Sequence, residues 1–304
     1  MPAAPALIAL DWGTTSLRAY LLGAGGAMLA NAEHPLGILK VANGDFADAF
    51  RRAVEPWRKA DPALPALAAG MIGSRQGWRE APYVECPAGL DAAARGLATV
   101  AEANLSIVPG VSVIDADGVP DVMRGEETQI FGAFADARSG IAVLPGTHSK
   151  WASVENGRIR RFATFMTGEA FAALADHTIL GRLFDGRGSD PAGFARGVAH
   201  AALEQKGRGG LLRRLFSART LGLFDKVPAK ALRSYLSGLL IGGEIEEAAQ
   251  WLGAKPGQVT VIGGAALTAA YGAALKQRGI AAELAPADAS AGGLWRIARA
   301  AGMV

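Results

Sequence analysis

The chain has 304 residues, half of them hydrophobic and 19% charged, with a formal net charge of +3. That length accommodates two ordinary domains, and that balance belongs to a packed soluble globule rather than a disordered chain. The mild positive charge is scattered without a basic run, which argues against nucleic acid as a partner, and the single cysteine, Cys86, excludes an intrachain disulfide or a cysteine metal cluster.

Residues 7–12, 16–22 and 27–33 read as three consecutive strands joined by Gly-rich turns. Residues 45–59 place Phe46, Phe50, Val54 and Trp57 at helical spacing, with Asn43 or Asp45 as cap. A buried-type strand over 66–72, a helix over 90–103, strand segments at 105–108 and 111–114 beside a Pro-Gly turn, and a helix over 125–137 follow. From 141 a strand, Gly turn and strand recur, with a third strand at 158–166. Helices are expected over 167–180, 191–205, 210–216, 229–251, 265–278 and 290–301, with strands at 259–262 and 281–284. Residues 186–189 and 207–210 read as mobile loops. No signal peptide or bilayer-length apolar run is present, so no membrane partner is expected and the cytoplasm is the expected location.

Three glycine turns carry the chemistry. In Asp11-Trp12-Gly13-Thr14-Thr15-Ser16, an apolar strand ends in one carboxylate and then in glycine and hydroxyls before a second strand opens. Glycine lets backbone approach closely, consecutive N–H groups and hydroxyls suit an anion, and the Asp is suited to hold Mg²⁺ through oxygen or water. Leu144-Pro145-Gly146-Thr147-His148-Ser149-Lys150 repeats the pattern near mid-chain. Gly263-Gly264 stands between a β-branched strand and a helix, where a flat ring or phosphate can lie against backbone at a helix N-terminus.

The order of these turns resembles the sugar kinase, Hsp70 and actin superfamily. Five further blocks narrow the likeness: 69–78 (AGMIGSRQGW), 123–129 (MRGEETQ), 144–151 (LPGTHSKW), 165–169 (FMTGE) and 236–244 (LSGLLIGGE). Through these the chain resembles the 2-dehydro-3-deoxygalactonokinase (2-keto-3-deoxygalactonate kinase) family, from Leu7 to about Ala298. The resemblance implies an α/β protein of two similar actin-like (ribonuclease H-like) domains, 1–140 and 141–304, each with a mixed five-stranded sheet and with an ATP cleft between them. It also implies that a last helix, 290–302, packs back on the N-terminal domain. The implied reaction is ATP- and Mg²⁺-dependent phosphorylation of the 6-hydroxyl of a small sugar acid, 2-dehydro-3-deoxy-D-galactonate, in galactonate catabolism; a homodimer is compatible with it.

Phosphoryl transfer needs neutralised phosphate charge, an in-line acceptor and a group to take its proton. On this reading Asp11 serves Mg²⁺ and the phosphates, Gly13, Thr14 and Thr15 form the first phosphate clamp, and Gly146 and Thr147 the second, with His148 and Lys150 as nearby donors. Gly263 and Gly264 flank the adenosine, and Gly242 and Gly243 let a helix come close. The 124–128 block also resembles the serine-glycine-x-glutamate segment of exopolyphosphatases, with Arg124 in place of serine. Carried over, the water-activating position is Glu127, so Glu127 is the expected base, ahead of Glu126 and then Asp11. Arg124 or Arg75 would grip the substrate carboxylate, and Ser74, Trp78, Thr167 and Glu169 could line the sugar pocket. Two other readings stay open: a polyphosphate or nucleotide phosphohydrolase, suggested by Glu126-Glu127, and a filament or chaperone-like ATPase. A Rossmann dehydrogenase is disfavoured, because the first Gly turn leads to a strand.

Overall fold

A computed structural model describes residues 4–134, 138–201 and 209–304. The chain forms β1 (Pro5–Trp12), β2 (Leu17–Gly23), β3 (Met28–His34), α1 (Phe46–Ala60), β4 (Ala66–Ala69), β5 (Tyr83–Glu85), α2 (Leu90–Arg95), β6 (Ala98–Val100), β7 (Leu105–Ile107), β8 (Gly110–Ile114), β9 (Pro120–Met123) and α3 (Glu126–Ala133). It continues with β10 (Gly140–Leu144), β11 (Ser149–Glu155), β12 (Arg158–Phe165), α4 (Thr167–His177), α5 (Pro191–Ala201), α6 (Leu211–Leu215), α7 (Ser217–Leu223), α8 (Ala229–Leu252), β13 (Gln258–Val261), α9 (Ala265–Gln277), β14 (Ala281–Leu284) and α10 (Ala289–Ala300). Among the described residues no helix is long and apolar enough to cross a membrane.

The chain divides into two compact units. The first comprises 1–139, 153–162 and 286–304. Its main sheet has the order β3-β2-β1-β4-β7-β6. β1 runs antiparallel to β2 and parallel to β4, which runs parallel to β7, and β6 closes the edge antiparallel to β7. Leu7, Ile8, Ala9 and Leu10 are all buried, which is why β1 reads as a continuous apolar run rather than an alternating one. On one face Ile8 and Leu10 pack with Phe46, Phe50 and Val54 of α1. α10 lies against β1 and crosses α3 closely. A Cβ added at Gly132 would stand 1.9 Å from the Ala289 carbonyl oxygen, and one at Gly293 would stand 1.8 Å from that of Thr128. Gly132→Ala must therefore push the two helices apart; it is expected to cost about 1–3 kcal/mol, read as a lowered thermal midpoint.

Five strands were expected in the first sheet, and there are six, with a separate three-stranded sheet, β5-β8-β9, beside it. Two local stops explain the difference. The expected helix over 90–103 ends at Arg95, where Gly96 caps it, and the Ala- and Val-containing stretch after it pairs with β7 instead. Pro109 separates 105–108 from 111–114, so β7 joins the main sheet while β8 pairs with β5 and β9. Strands β5 and β9 were not anticipated. The strand over 66–72 stops at Ala69, because Gly70 turns the chain at φ +95°.

The second unit comprises 140–152 and 163–285. The second sheet has the expected five strands in the order β12-β11-β10-β13-β14, with β13 parallel to both β10 and β14. Val143, Val259, Val261, Ile245 and Leu275 form its core with Trp151 and Tyr271. The expected helix over 210–216 is α6, and α7 follows it at once, unanticipated. The expected 125–137 helix stops at Ala133, where Phe134 turns to extended backbone; the end of the 191–205 helix and part of the 207–210 loop lie outside the described residues.

Candidate active site

In the first unit, three backbone segments stack at the carboxyl end of β1. Gly70 lies so close that a Cβ there would stand 2.8 Å from the Trp12 carbonyl, and Gly125, at φ +109°, would place a Cβ 3.2 Å from the Gly70 Cα. Only glycine fits this approach without strain, so the 11–16 loop, the loop after β4 and the start of α3 converge. Residues 37–39 brace the first loop. Ile38 and Leu39 N–H groups donate to the Gly13 and Thr14 carbonyls, and Gly13 N–H donates to the Ser16 carbonyl. The bracing consumes the loop's carbonyls and leaves Thr14 and Thr15 exposed, an arrangement suited to presenting amides and hydroxyls to an anion.

Asp11 is held by one oxygen. Its Oδ2 accepts from Arg18 Nη2 at 2.6 Å and from Ser290 Oγ at 2.8 Å. Neither bond uses Oδ1. Ser290 belongs to α10 and was not anticipated, since nothing at sequence level ties a serine near residue 290 to residue 11.

Glu126 and Glu127 open α3, where acidic side chains favour the helix dipole. Glu126 Oε2 accepts the Arg124 N–H at 3.0 Å. Glu127 accepts the Gly125 N–H at 2.6 Å and the Thr128 hydroxyl at 2.9 Å, one on each carboxylate oxygen. Burial, and secondarily the charge of Glu126, push the Glu127 carboxyl up to about 8 against its hydrogen bonds. Glu127 is fully enclosed while Glu126 is half-buried. The expected order of the two is therefore reversed in access: the favoured base has no open face.

Arg124 donates from Nη2 to the Ala81 carbonyl at 2.8 Å and lies over the Tyr83 ring at 4.4 Å. Its Nε and Nη1 are buried without a hydrogen-bond partner, as is Ser74 Oγ. A buried donor without an acceptor is costly, so these atoms mark a place where a ligand carboxylate or hydroxyl would be welcome. Arg75 is different: it is 89% exposed and pairs with Glu80. Trp78 packs on Phe50, at 5.8 Å between ring centroids, and serves the core. The Cys86 thiol is pushed up to about 11 by burial, which suits a structural role.

In the second unit the 146–148 loop is braced by α4. A Cβ at Gly168 would lie 2.3 Å from the Gly146 carbonyl oxygen, Glu169 N–H donates to the Thr147 carbonyl at 3.0 Å, and His148 Nε2 meets Glu169 Oε2 at 2.6 Å. Glu169 is thus a partner of the loop. Lys150 is buried on β11 rather than solvated. Thr167, expected at the sugar, donates its hydroxyl to Glu244 instead. Gly263 and Gly264 are exposed at the start of α9, which has no side-chain cap. A cavity of about 880 Å³ in this unit is lined by Phe171, Phe194, Arg187, Arg233, Ala266 and Ala270 among others. Gly242, expected to let a helix come close, is buried against α5, where a Cβ would meet Ala201 and Val198; its smallness serves helix packing.

Residues 11–297 match the model of the 2-keto-3-deoxy-galactonokinase family. A protein of Rhizobium meliloti (strain 1021) named as a 2-dehydro-3-deoxygalactonokinase is 38% identical over 301 residues, covering 96% of each chain. The 2-dehydro-3-deoxygalactonokinase of Escherichia coli (strain K12) is 34% identical over 272 residues, 90% of each. A crystal structure from Sinorhizobium meliloti, titled as a protein of the same activity, superposes with a TM-score of 0.88 at 36% identity over 97% of this chain and 98% of that one. A gluconate kinase from Lactobacillus acidophilus, at 9% identity and a TM-score of 0.52 over 98% of this chain and 89% of that one, shares the fold alone. The match gives no support to the phosphohydrolase alternative. The chain belongs to the 2-keto-3-deoxy-galactonokinase family.

Proposed function

We propose that the chain is an ATP-dependent kinase that uses Mg²⁺ to transfer the γ-phosphoryl group to the 6-hydroxyl of 2-dehydro-3-deoxy-D-galactonate, giving the 6-phosphate and ADP. The observation that carries this is the family match along 11–297, joined by two glycine-hydroxyl loops braced through their carbonyls. In the first unit Thr14 and Thr15, and in the second unit Gly146 and Thr147, each form a loop suited to donating to phosphate oxygens. The cavity beside α9, with the Gly263-Gly264 turn at that helix's start, takes the adenosine: its alanine floor and Phe171 suit a flat ring.

Among the described residues no group of three or more metal-ligating side chains exists. That suits a cation held mainly by phosphate oxygens with one protein carboxylate, the way nucleotide enzymes hold Mg²⁺. Asp11 fits as that carboxylate, since Arg18 and Ser290 fix Oδ2 and Oδ1 takes no part in those bonds. When bound, Mg²⁺ neutralises charge developing on the phosphates.

Glu126 takes the proton of the 6-hydroxyl. It has the access that the fully enclosed Glu127 lacks. Arg124 holds the substrate carboxylate through Nε and Nη1, with Ser74 beside it. The test is a coupled assay of ADP release over a panel of keto-deoxy sugar acids and neutral sugars. Turnover of neutral sugars with none on the acids would overturn the assignment, as would phosphate release without any acceptor. Arg124→Ala is expected to raise KM for the acid by roughly 10–100-fold, the worth of lost charge-assisted hydrogen bonds, and to change KM for an analogue lacking the carboxylate much less. Equal changes would show that Arg124 serves the fold.

A further inference from the structure

Glu244 lies in the middle of α8, 2% exposed, and none of the chemistry above uses it. Its carboxylate gathers four donors from three other elements. Ser149 Oγ and Trp151 Nε1, both on β11, donate to Oε1 at 2.7 Å each. Tyr271 OH, on α9, donates to Oε2 at 2.6 Å, and the Thr167 hydroxyl, the first residue of α4, donates as well. Burying a carboxylate is expensive unless its oxygens are met by donors, and here they are.

The four arms do not reach arbitrary places. β11 begins at the residue after His148, so Ser149 anchors the end of the 146–148 loop. α4 begins at Thr167, and the next two residues press on Gly146 and bond Thr147. α9 follows the Gly263-Gly264 turn. One carboxylate therefore ties together the loop, the helix that braces it and the helix behind the adenosine turn.

We propose that Glu244 is a positioning residue for nucleotide, fixing the 146–148 loop and the starts of α4 and α9 in one geometry; this rests on the reading of that loop as a phosphate clamp. Glu244→Gln keeps the volume. Its amide oxygen can accept from Trp151 and Ser149, while its NH₂ can donate to the Tyr271 and Thr167 hydroxyls, which can turn to accept. The fold survives, but charge-assisted bonds become neutral ones of about half the strength.

The experiment is calorimetric titration of ATP with Mg²⁺ into the whole chain, alongside steady-state kinetics. Glu244→Gln and Thr167→Val are each expected to weaken nucleotide binding on the order of tenfold, with KM for the sugar acid unchanged and a folded circular dichroism spectrum. The double variant is expected to be little worse than either single one, because both cut the same tie. Thr147→Ala reports on the underlying reading. If it leaves nucleotide affinity intact, the phosphate-clamp assignment fails and this proposal with it. If Thr147→Ala weakens nucleotide while folded Glu244→Gln and Thr167→Val do not, or if they weaken nucleotide and sugar acid alike, the positioning role is overturned.

Discussion

Asp11→Asn is expected to lower kcat by roughly 10²–10³-fold, the scale of losing one preorganised electrostatic contact in the transition state. Its effect on folding should be small. The asparagine carbonyl can keep the bonds from Arg18 and Ser290, and the exposed Arg18 ion pair that weakens contributes little, since solvent screens it. What disappears is the negative oxygen offered to the cation. Steady-state kinetics across a Mg²⁺ titration, with a thermal melt as control, reads both effects. A variant with parental kcat at parental Mg²⁺ demand would remove Asp11 from the site.

The carboxylate pair at the start of α3 gives the second large effect, and its two members should behave differently. Glu126→Gln is expected to reduce kcat by about 10²–10⁴-fold, the usual worth of a general base. Glu127→Gln should leave kcat near the parental value at neutral pH, because the enclosed Glu127 carboxyl, raised to about 8, is already uncharged there and has no open face toward a substrate. The stability consequence has a definite sign. The Glu127 carboxyl is raised to about 8 in the fold, so between the ordinary carboxylate range and that value the native state binds a proton that the unfolded chain has released. This contribution is complete at low pH and is lost as pH rises through about 8. Glu127→Gln cannot ionise, so its melting temperature relative to the parent should be higher at pH 8 than at pH 5. If Glu127→Gln instead abolishes turnover while Glu126→Gln leaves it intact, proton acceptance belongs to Glu127 despite its enclosure.

Much of the framework is legible in the chain because it depends on nearby residues. β1, β2 and β3 follow from apolar runs broken by glycine, α1 from the spacing of Phe46, Phe50 and Val54, and the loops at 13–15 and 146–148 from glycine and hydroxyls after buried strands. What could not be read depends on distant partners. β6 is made of Ala, Thr and Val that could serve a helix as well, and only pairing with β7 makes it a strand. Whether Glu126 or Glu127 faces outward is a matter of helix phase, which a carboxylate pair at adjacent positions does not betray. Glu244 left one trace, a single charge inside the apolar stretch 236–245, the mark of a buried acid with partners. Its partners, Ser149, Trp151, Thr167 and Tyr271, are scattered through the sequence, and no local pattern names them.

The discontinuous make-up of the first unit bears on how the protein is born. The hydrogen bond between Asp11 and Ser290 spans 279 positions, and α10, which packs on α3 and β1, is translated after the whole of the second unit. A ribosome-bound chain displaying β1, α1 and β4 therefore still shows the bare α3 surface to the cell, while the second unit, apart from its first short piece, can condense in one stretch behind it. Trimming α10 should consequently disturb the first unit and the setting of Asp11, and leave the second unit largely able to form.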